Sequence, residues 1–456
     1  MILRDLKNKR VTVMGLGRLG GGVGVVKFLA AHGAKLLVTD IKKAEELEDS
    51  LKKLRGISNV EFVLGHHRNE DFIERDFIVK NPGVPKRSPY LLRASQARIP
   101  IETDISLFFK LAPCHTIGVT GTKGKSTAAS LIQKFLASSY SAFVGGNIGI
   151  TPLELLDKID ANSLVVLELS SWQLEDLAPH KVSPYVAVIL NVYPDHLNRH
   201  PDLQDYIEAK KNIIRYQTSE GSAVLNYDDP IVREFSSEVK GKLYFFSKRE
   251  EVNGAYMKGE KVYFGQGEEG IIDRVHISLP GEHNLSNILA ALTLAKIYKV
   301  SSRDISKALE SFTGIPWRQE LIREIGGIAF YNDTTATIPE AAIAALKRFE
   351  KNIILIAGGV DKGLDYRELA KEIANRVKFL VLLPGDASEK INSRLTTHDS
   401  RLKVIKVEGM EEAVKSAFKN AQSGDTIILS PGAASFNVFK NEFDRGEQFN
   451  KAVAAL

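Results

Sequence analysis

Short apolar runs separated by amphipathic segments recur along the whole chain, and each run ends in polar or glycine-rich residues. In the first quarter of the chain, five such runs predict strands: 10–14, 35–39, 60–64, 77–79 and 99–102. Strands that alternate with helical patterns are typical of a parallel sheet covered by helices. Residues 1–104 are therefore predicted to form a small Rossmann-like α/β domain.

The same alternation continues in a predicted central domain, residues 105–314. Its expected strands are 116–119, 164–167 and 185–190, and its expected helices are 126–137 and 288–295. The stretch 143–149 is predicted to be a loop rich in backbone donors, and the polar, glycine-broken segment 240–275 to be rich in β-structure. The central domain is predicted to be of the P-loop ATPase type, with a parallel sheet and a small β segment.

A third α/β unit is predicted for residues 315–456. Its apolar runs predict the strands 328–331, 353–356, 379–383 and 426–429, and the intervening patterns predict the helices 339–347, 366–376 and 411–421. Polar loops follow the ends of these strands, which is the usual place for a ligand in a parallel sheet. The fold class expected for the chain is α/β with three domains, the last again Rossmann-like.

Composition narrows the range of functions. The 456 residues are 44% hydrophobic and 26% charged, with a net charge of +5, which is too small to indicate nucleic acid and mildly favours anionic ligands. The single cysteine, Cys114, excludes an intramolecular disulfide or a cysteine zinc site. Because no apolar run approaches the roughly 18 residues of a membrane span, we expect a cytoplasmic protein that does not bind a membrane. We also expect it to be a monomer that acts on small molecules.

The strongest motif is a glycine turn between a predicted strand and a predicted helix. Backbone N–H groups, a helix N-terminus and a lysine together form a cradle for nucleotide phosphates. Val119 stands where the usual P-loop pattern has glycine, and a turn without a ligand is the alternative. The residues expected to bind ATP here are Gly121, Thr122, Lys123, Gly124, Lys125, Ser126 and Thr127, with the Ser126 hydroxyl placed for magnesium.

A second glycine turn follows the first strand of the chain. Its residues are Gly15, Gly17, Arg18, Leu19 and Gly20, and Asp40 ends the next strand twenty residues later. This spacing is that of a dinucleotide-type turn built to receive a diphosphate, so an NAD(P)-dependent oxidoreductase is an open alternative. The separate phosphate loop favours two different nucleotides instead.

Charged residues at other strand ends extend the predicted site. Glu168 ends the apolar run 164–167 and is a candidate magnesium ligand, with a solvent-facing acid as the alternative. His196 follows the run 185–190, and the carboxyl ends of parallel strands would bring both residues near Lys125. Lys210 has the composition of an ordinary solvated helix lysine, and its own chemistry indicates no role.

Taken together, the motifs resemble those of the Mur ligases, the ATP-dependent ligases of peptidoglycan precursor synthesis. The resemblance covers nearly the whole chain in the right order, through T-G-T-K-G-K-S-T (120–127), G-G-N-I-G (145–149), E-L-S-S-W-Q-L-E (168–175), L-N-V-Y-P-D-H (190–196), Y-I-E-A-K (206–210), G-E-H-N-L-S-N (281–287), P-W-R-Q-E (316–320), Y-N-D (331–333) and L-S-P-G-A-A-S-F (429–436).

The resemblance implies a role for each matching residue. The UDP-substrate site would comprise the first glycine turn with Asp40, Asn81, Gly83, Asn147, Ser170 and Gln173. ATP would also contact Asn287, Arg318 and Asp333, and the incoming amino acid would contact Thr337, Lys362, Ser435 and Phe443. Two magnesium ions would be held by Ser126, Glu168, His196 and Lys210, the last as a carbamate, and Lys125, Glu168, His196 and Lys210 would be catalytic.

The implied reaction is addition of D-glutamate to UDP-N-acetylmuramoyl-L-alanine through an acyl phosphate. Two departures from the family pattern bear on the amino acid: Thr334-Thr335 stands where many members have Ser-Lys, and Glu442-Phe443 reverses the usual order. Addition of L-glutamate or another amino acid is therefore an alternative. A folylpolyglutamate synthetase lacks the N-terminal UDP-type domain, and a non-catalytic nucleotide-binding module would need no second metal.

Overall fold

A computed structural model describes residues 3–17, 21–146, 151–193, 200–265, 270–274, 282–312, 314–349, 352–361, 363–395, 402–435 and 438–456. The chain divides into two compact units, Met1–Phe312 and Thr313–Leu456. Among the described residues, no helix combines the length and apolar character of a membrane span.

The N-terminal part of the first unit is a five-stranded parallel sheet. Its strands are β1 (Arg10–Met14), β2 (Lys35–Asp40), β3 (Val60–Leu64), β4 (Phe77–Lys80) and β5 (Ile101–Glu102), and its helices are α1 (Gly21–Ala31), α2 (Glu48–Lys52) and α3 (Pro89–Gln96). The spatial order is β3-β2-β1-β4-β5. The chain reverses its direction of travel across the sheet beside β1, which opens a crevice at the carboxyl end of that strand.

The central part contains a six-stranded parallel sheet with strands β6 (His115–Thr120), β7 (Ala142–Gly146), β8 (Leu164–Glu168), β9 (Val186–Ile189), β10 (Ser222–Asn226) and β11 (Lys242–Phe246). A small antiparallel sheet follows, formed by β12 (Ala255–Lys258), β13 (Lys261–Phe264) and β14 (Ile272–Asp273). The helices are α4 (Asp104–Leu111), α5 (Lys125–Leu136), α6 (Ser171–Leu177), α7 (Leu203–Arg215), α8 (Pro230–Glu234), α9 (Glu282–Ile297) and α10 (Ser302–Glu310).

The spatial order of the larger central sheet is β11-β10-β9-β6-β8-β7, so β6 lies between β8 and β9. Every residue of β8 is buried, as expected for a strand covered on both faces. One apolar cluster includes side chains of both the N-terminal and the central sheets. A buried ion pair between Lys80 and Asp176, 2.8 Å apart, also joins these two parts of the unit.

The second unit contains a six-stranded sheet of order β15-β16-β20-β17-β18-β19. Its strands are β15 (Glu320–Ile325), β16 (Ile328–Asn332), β17 (Ile353–Ala357), β18 (Val377–Leu382), β19 (Lys403–Lys406) and β20 (Thr426–Leu429). Only β15, at the edge, is antiparallel to its neighbour. The helices are α11 (Pro339–Phe349), α12 (Arg367–Arg376), α13 (Asp386–Arg394), α14 (Met410–Lys419) and α15 (Glu442–Ala454).

The predicted α/β class is confirmed, whereas the predicted loop at 143–149 is wrong over its first part. Ala142–Gly146 is the edge strand β7, paired in parallel with β8. Gly146 has φ 96°, and a Cβ there would lie 2.3 Å from the Glu168 carbonyl oxygen, so glycine permits this close pairing. The rest of the stretch, with Asn147, lies outside the described residues.

Candidate active site

The phosphate loop lies between β6 and α5. Gly124 is the N-cap of α5 with φ 85°, a left-handed conformation that glycine adopts without steric cost. The Lys125 ammonium donates to the carbonyl oxygens of Gly121 at 3.0 Å and Thr122 at 3.1 Å. The turn therefore brings a cation and the N-terminus of a twelve-residue helix to one place, as anion binding requires.

Asn191 anchors this loop to the neighbouring strand. It follows β9, and its side-chain oxygen accepts from the Lys123 N–H at 2.9 Å while its side-chain amide donates to the Lys123 carbonyl at 3.1 Å. Its own carbonyl accepts from the Thr122 N–H at 3.0 Å. Sequence reasoning gave Asn191 no role of its own. The available signal was an amide side chain directly after a strand that was expected to lie near the loop.

Lys210 is not the solvated lysine that composition indicates. Its side chain on α7 is 1% exposed, and its ammonium donates to the Gly121 carbonyl at 3.0 Å and to the Thr120 hydroxyl at 3.5 Å. The Nζ atom also lies 4.6 Å from the centre of the Tyr206 ring. The spacing of Tyr206, Ala209, Lys210 and Ile213 places them on one buried face of the helix, and this spacing was visible in the sequence.

Glu168 ends β8 beside the same loop. It is 1% exposed and lies in register with Val119 of β6 and Gly146 of β7. Ser126, in the first turn of α5, is 3% exposed. The structure thus gathers Ser126, Glu168 and Lys210 around the carboxyl end of β6. His196, the remaining predicted metal ligand, lies outside the described residues.

Asn287, predicted to contact ATP, packs on the turn of the phosphate loop. It lies on α9 and is 3% exposed. A Cβ added to Gly124 would lie 2.2 Å from the Asn287 side-chain oxygen. The long helix α9 therefore places a polar side chain against Gly124, the N-cap residue of α5. Thr127, also predicted to bind ATP, is half-buried in the first turn of α5.

The first glycine turn is organised by a carboxylate. Gly15 and Gly17 have φ 89° and 64°, and Asp40 accepts from the Gly17 N–H at 3.0 Å and from the Lys42 N–H at 2.9 Å. Asn81 packs against Gly15, where an added Cβ would lie 3.0 Å from the Asn81 Cβ.

The Asn81 side-chain oxygen accepts from the Gly83 N–H at 3.1 Å. These residues meet at the carboxyl end of β1, while Arg18, Leu19 and Gly20 lie outside the described residues.

Ser170 and Gln173 form a capping box at the start of α6. The Gln173 N–H donates to the Ser170 hydroxyl oxygen at 3.3 Å, and the Ser170 N–H donates to the Gln173 side-chain oxygen at 3.0 Å. Such reciprocal bonds satisfy two backbone donors at a helix N-terminus. Both residues lie just after Glu168, and in this structure their side chains hold the start of α6 in place.

In the second unit, Asp333 is a buried carboxyl group directly after β16. It accepts from the Ser430 hydroxyl at 2.7 Å and from the Gln319 N–H at 3.2 Å. Burial raises the pKa of Asp333 to about 7, because desolvation disfavours the charged form more than these bonds favour it. Arg318, predicted to contact ATP, is exposed and lies between Trp317 and Gln319, which both have positive φ, 70° and 46°.

The fully buried Arg445 joins the loops that carry the predicted amino-acid site. Its guanidinium donates to the Thr334 hydroxyl at 3.1 Å, the Thr334 carbonyl at 2.8 Å and the Ala433 carbonyl at 3.1 Å. Burial lowers the pKa of Arg445 to about 10. Thr335, where many family members have lysine, donates its hydroxyl to the Trp317 carbonyl at 2.9 Å. Sequence reasoning missed Arg445, whose burial depends on long-range packing.

The predicted amino-acid contacts differ in their surroundings. Thr337 is half-buried and Phe443 is 40% exposed. Ser435 is 1% exposed, and its hydroxyl has no hydrogen-bond partner within the described part of the chain. Lys362 lies outside the described residues. Because buried hydroxyl groups usually have a hydrogen-bond partner, Ser435 stays a candidate contact for a ligand.

Three family models match the chain in succession. Residues 9–103 match the MurD-like N-terminal domain of Mur ligases, residues 119–295 match the Mur ligase middle domain, and residues 317–432 match the Mur ligase glutamate ligase domain. Together they correspond to the three predicted domains, although the predicted boundaries at 104/105 and 314/315 stay predictions.

Curated proteins similar to this chain include three named UDP-N-acetylmuramoylalanine--D-glutamate ligase. The protein of Roseiflexus sp. (strain RS-1) is 42% identical over 99% of this chain and 100% of its own length. Those of Geotalea daltonii and Clostridioides difficile are 41% and 37% identical, over 99% of this chain and 98% and 100% of their own lengths.

Solved structures share the fold at lower identity. The UDP-N-acetylmuramate-alanine ligase MurC of Thermotoga maritima gives a TM-score of 0.66 at 19% identity, over 98% of this chain and 100% of its own. A MurF ligase of Thermotoga maritima, solved in complex with ADP, gives 0.57 at 19% identity, over 99% of both chains.

Proposed function

This chain belongs to the Mur ligase family, and we propose that it joins D-glutamate to UDP-N-acetylmuramoyl-L-alanine with conversion of ATP to ADP and phosphate. Relatives of that name are 35–42% identical over 99% of the chain. The observation that carries the proposal is the grouping of Lys125, Ser126, Glu168 and Lys210 at the end of β6. A ligase that uses ATP needs cations and magnesium ligands at this place.

The chemistry follows from charge. The substrate carboxylate attacks the γ-phosphorus of ATP, the bond to ADP breaks, and an acyl phosphate forms. Both partners are anions, and Lys125 with the N-terminus of α5 offsets their repulsion and the charge that spreads over the phosphoryl oxygens. The amine of glutamate then attacks the acyl carbon, loses a proton, and expels phosphate as the amide forms.

Magnesium fits the donor set. Hard divalent cations prefer oxygen ligands, and the Ser126 hydroxyl and the buried Glu168 carboxylate are of that kind. Lys210, as an ammonium, is no ligand, but carbamylation by CO₂ would convert it into an anionic oxygen donor beside the phosphate loop. We assign these residues, with His196, to two ions, which supply charge neutralisation when bound.

The UDP substrate is assigned to the first glycine turn. Asp40 holds the Gly17 N–H, and Asn81 and Gly83 border the same end of β1. The family assignment favours UDP over a dinucleotide at this turn, which removes the main support for an oxidoreductase. ATP as a substrate agrees with the cytoplasmic location that the sequence predicts.

The amino-acid site is assigned to Thr337, Lys362, Ser435 and Phe443. D-Glutamate is the proposed amino acid because the relatives with that activity cover the whole chain. Thr335 belongs to this region and stands where many family members have lysine. This chain must therefore hold the glutamate carboxylates without that lysine. Ser435, with a buried hydroxyl free of described partners, is the best candidate donor.

Phosphate release from ATP tests the proposal directly. With UDP-N-acetylmuramoyl-L-alanine and magnesium present, we expect D-glutamate to stimulate release far more than L-glutamate or D-aspartate does. Stimulation by L-glutamate alone would overturn the stereochemical assignment and leave the ligase assignment standing. If no amino acid stimulates release above background, the ligase function itself is wrong.

A further inference from the structure

A buried histidine, His200, connects the segments around the phosphate loop. It lies just before α7 and is 1% exposed. Its Nδ1 atom lies 2.7 Å from a carboxylate oxygen of Asp205, and its Nε2 atom lies 3.1 Å from the Ser171 hydroxyl. Its ring meets the Tyr206 ring edge to face, with 5.2 Å between centres. His200 therefore joins the first residue of α6 to the first turn of α7.

The chemistry of the partners defines the hydrogen bonds of His200. An ionised carboxylate can only accept hydrogen bonds, so Nδ1 of His200 carries the hydrogen and donates a hydrogen bond to Asp205. In the neutral ring Nε2 is then an acceptor, and the Ser171 hydroxyl donates to it. Both ring nitrogens are engaged, which fixes the orientation of the ring.

Two of the residues that His200 contacts, Tyr206 and Ser171, are next to groups of the proposed ATP site. The Tyr206 hydroxyl lies 3.2 Å from the Thr122 hydroxyl of the phosphate loop, and the Tyr206 ring lies under the Lys210 ammonium at 4.6 Å. Ser171 follows Glu168 by three residues and begins the helix capped by Ser170. Movement of the His200 ring would therefore be passed to both sides of the site.

A metal ion is the competing explanation for this cluster. Glu175, His200 and Asp205 each offer one ligand atom, and these atoms lie within 4.8 Å of one another. However, Glu175 is paired with Lys86 at 3.1 Å, and both nitrogens of His200 have protein partners. The cluster is satisfied by protein groups alone, which favours a structural network over an ion.

We propose that His200 is a positioning residue that holds Tyr206 and the start of α7 against the phosphate loop, so that Thr122 and Lys210 are correctly placed for ATP. The inference rests on the proposed function for its effect on ligation. The expected effect of His200 on ATP binding requires only that the phosphate loop binds ATP, and it does not require that the chain catalyses ligation. Removal of the outer partners of metal ligands typically lowers affinity or activity by about 10–100-fold, and we expect an effect of this order here.

The test compares His200→Ala with the wild-type chain in two measurements. We expect kcat for D-glutamate-dependent phosphate release to fall about 10–100-fold, while KM for D-glutamate changes less than about twofold, because the residues assigned to glutamate belong to the other unit. Titration calorimetry with ATP and magnesium should show affinity lowered about tenfold. Circular dichroism and the thermal midpoint verify that the variant is folded.

Further variants separate positioning from general stability. His200→Asn keeps an amide N–H near the position of Nδ1, so it should recover part of the lost kcat. Ser171→Ala should lower kcat by a smaller factor, and its effect should be less than additive with His200→Ala, because both remove the same hydrogen bond. His180→Ala is the matched control, since His180 also faces a carboxylate, that of Glu102 at 3.8 Å, but lies beyond the other end of α6.

The outcomes divide clearly. Loss of kcat and of ATP affinity in folded His200→Ala, with His180→Ala unchanged, supports the proposal. Wild-type kcat and affinity in folded His200→Ala overturn it, as does additive behaviour with Ser171→Ala. Zinc or manganese bound by the wild type and lost in His200→Ala would replace positioning with a metal site. If the wild type catalyses no ligation, the proposed function fails, and ATP affinity alone still decides the role of His200.

Discussion

The chain contains two glycine turns with the same topology and opposite electrostatics. Each follows a strand that lies inside a parallel sheet, β1 in one sheet and β6 in the other. The first is closed by the Asp40 carboxylate, which accepts the Gly17 N–H. The second is closed by ammonium groups, because Lys125 and Lys210 both donate to the Gly121 carbonyl.

This difference agrees with the proposed assignment of UDP to the first turn and ATP to the second. A carboxylate that accepts the N–H groups of a turn also offers an acceptor for ligand hydroxyl groups, as the acidic residue of a dinucleotide-type turn does. The Lys125 ammonium on the carbonyl groups of the second turn adds positive charge, which suits a triphosphate. The two turns share the strand-turn-helix topology, so the proposed assignment depends on the charge of the closing side chain.

Removal of the closing cation should have the largest effect. Lys125→Ala should lower phosphate release about 10³-fold, because a preorganised charge on the transferring phosphoryl group is lost. The thermal midpoint of the variant should change little. Steady-state rates of phosphate release, measured together with the thermal midpoint, test this prediction. His196→Ala should also abolish turnover. A rate near the wild-type value in Lys125→Ala would contradict its assignment to the ATP phosphates, and such a rate in His196→Ala would contradict the two-metal assignment.

The two turns should also differ in their tolerance of a side chain. Gly124→Ala should cost about 1–2 kcal/mol for the left-handed backbone and about 1–3 kcal/mol more for the overlap with Asn287, 2.2 Å away. At Gly17 the nearest atom to an added Cβ among the described residues is the Asn81 side-chain nitrogen at 3.7 Å, so Gly17→Ala should cost only the backbone term. Urea unfolding of both variants measures the difference.

Gly56→Ala is the control for this pair. Gly56 has φ 87°, close to that of Gly124, and no atom of the described residues lies within 4 Å of its added Cβ. Equal losses in Gly56→Ala and Gly124→Ala would show that Asn287 moves aside without cost.

Neutralising the closing carboxylate should act on the other substrate. Asp40→Asn should raise KM for the UDP substrate about tenfold or more, since bonds to a charged acceptor contribute about 1.5–3 kcal/mol, while KM for ATP stays unchanged. Asp76→Asn is the matched control, because Asp76 also accepts a backbone N–H, that of Arg10 at 2.7 Å, but at the opposite end of β1. Its KM for the UDP substrate should stay near the wild-type value. An equal rise in KM for ATP would break the division between the two turns.

The last comparison concerns a third strand end, where Asp333 accepts hydrogen bonds from neutral donors. Its pKa is raised from 3.8 to about 7, so the folded protein binds more protons than the unfolded chain between these values. Stability should therefore fall as pH rises from about 4 to about 7 and level off above. Asp333→Asn should remove this slope from the thermal midpoint of the second unit, and parallel curves for both proteins would contradict it.

The sequence by itself determined the α/β class and the two glycine turns, because both depend on local patterns. A buried strand needs a short apolar run, and a turn with positive φ needs glycine, so β6, Gly124 and the start of α5 could be located from a few residues. The prediction of a loop at 143–149 was wrong over residues 143–146, because pairing along β8 overrides the low strand propensity of Gly145 and Gly146.

The tertiary structure alone decided which charged side chains act together. Whether Lys210 is solvated depends on which face of α7 packs on the sheet, and whether Arg445 is buried depends on loops more than a hundred residues away in sequence. His200 gains its partner Ser171 only when α6 and α7 are packed together, whereas Asp205 is only five residues away in sequence. Local propensity carries no information about such contacts, because the free energy of a charge depends on its surroundings in the folded chain.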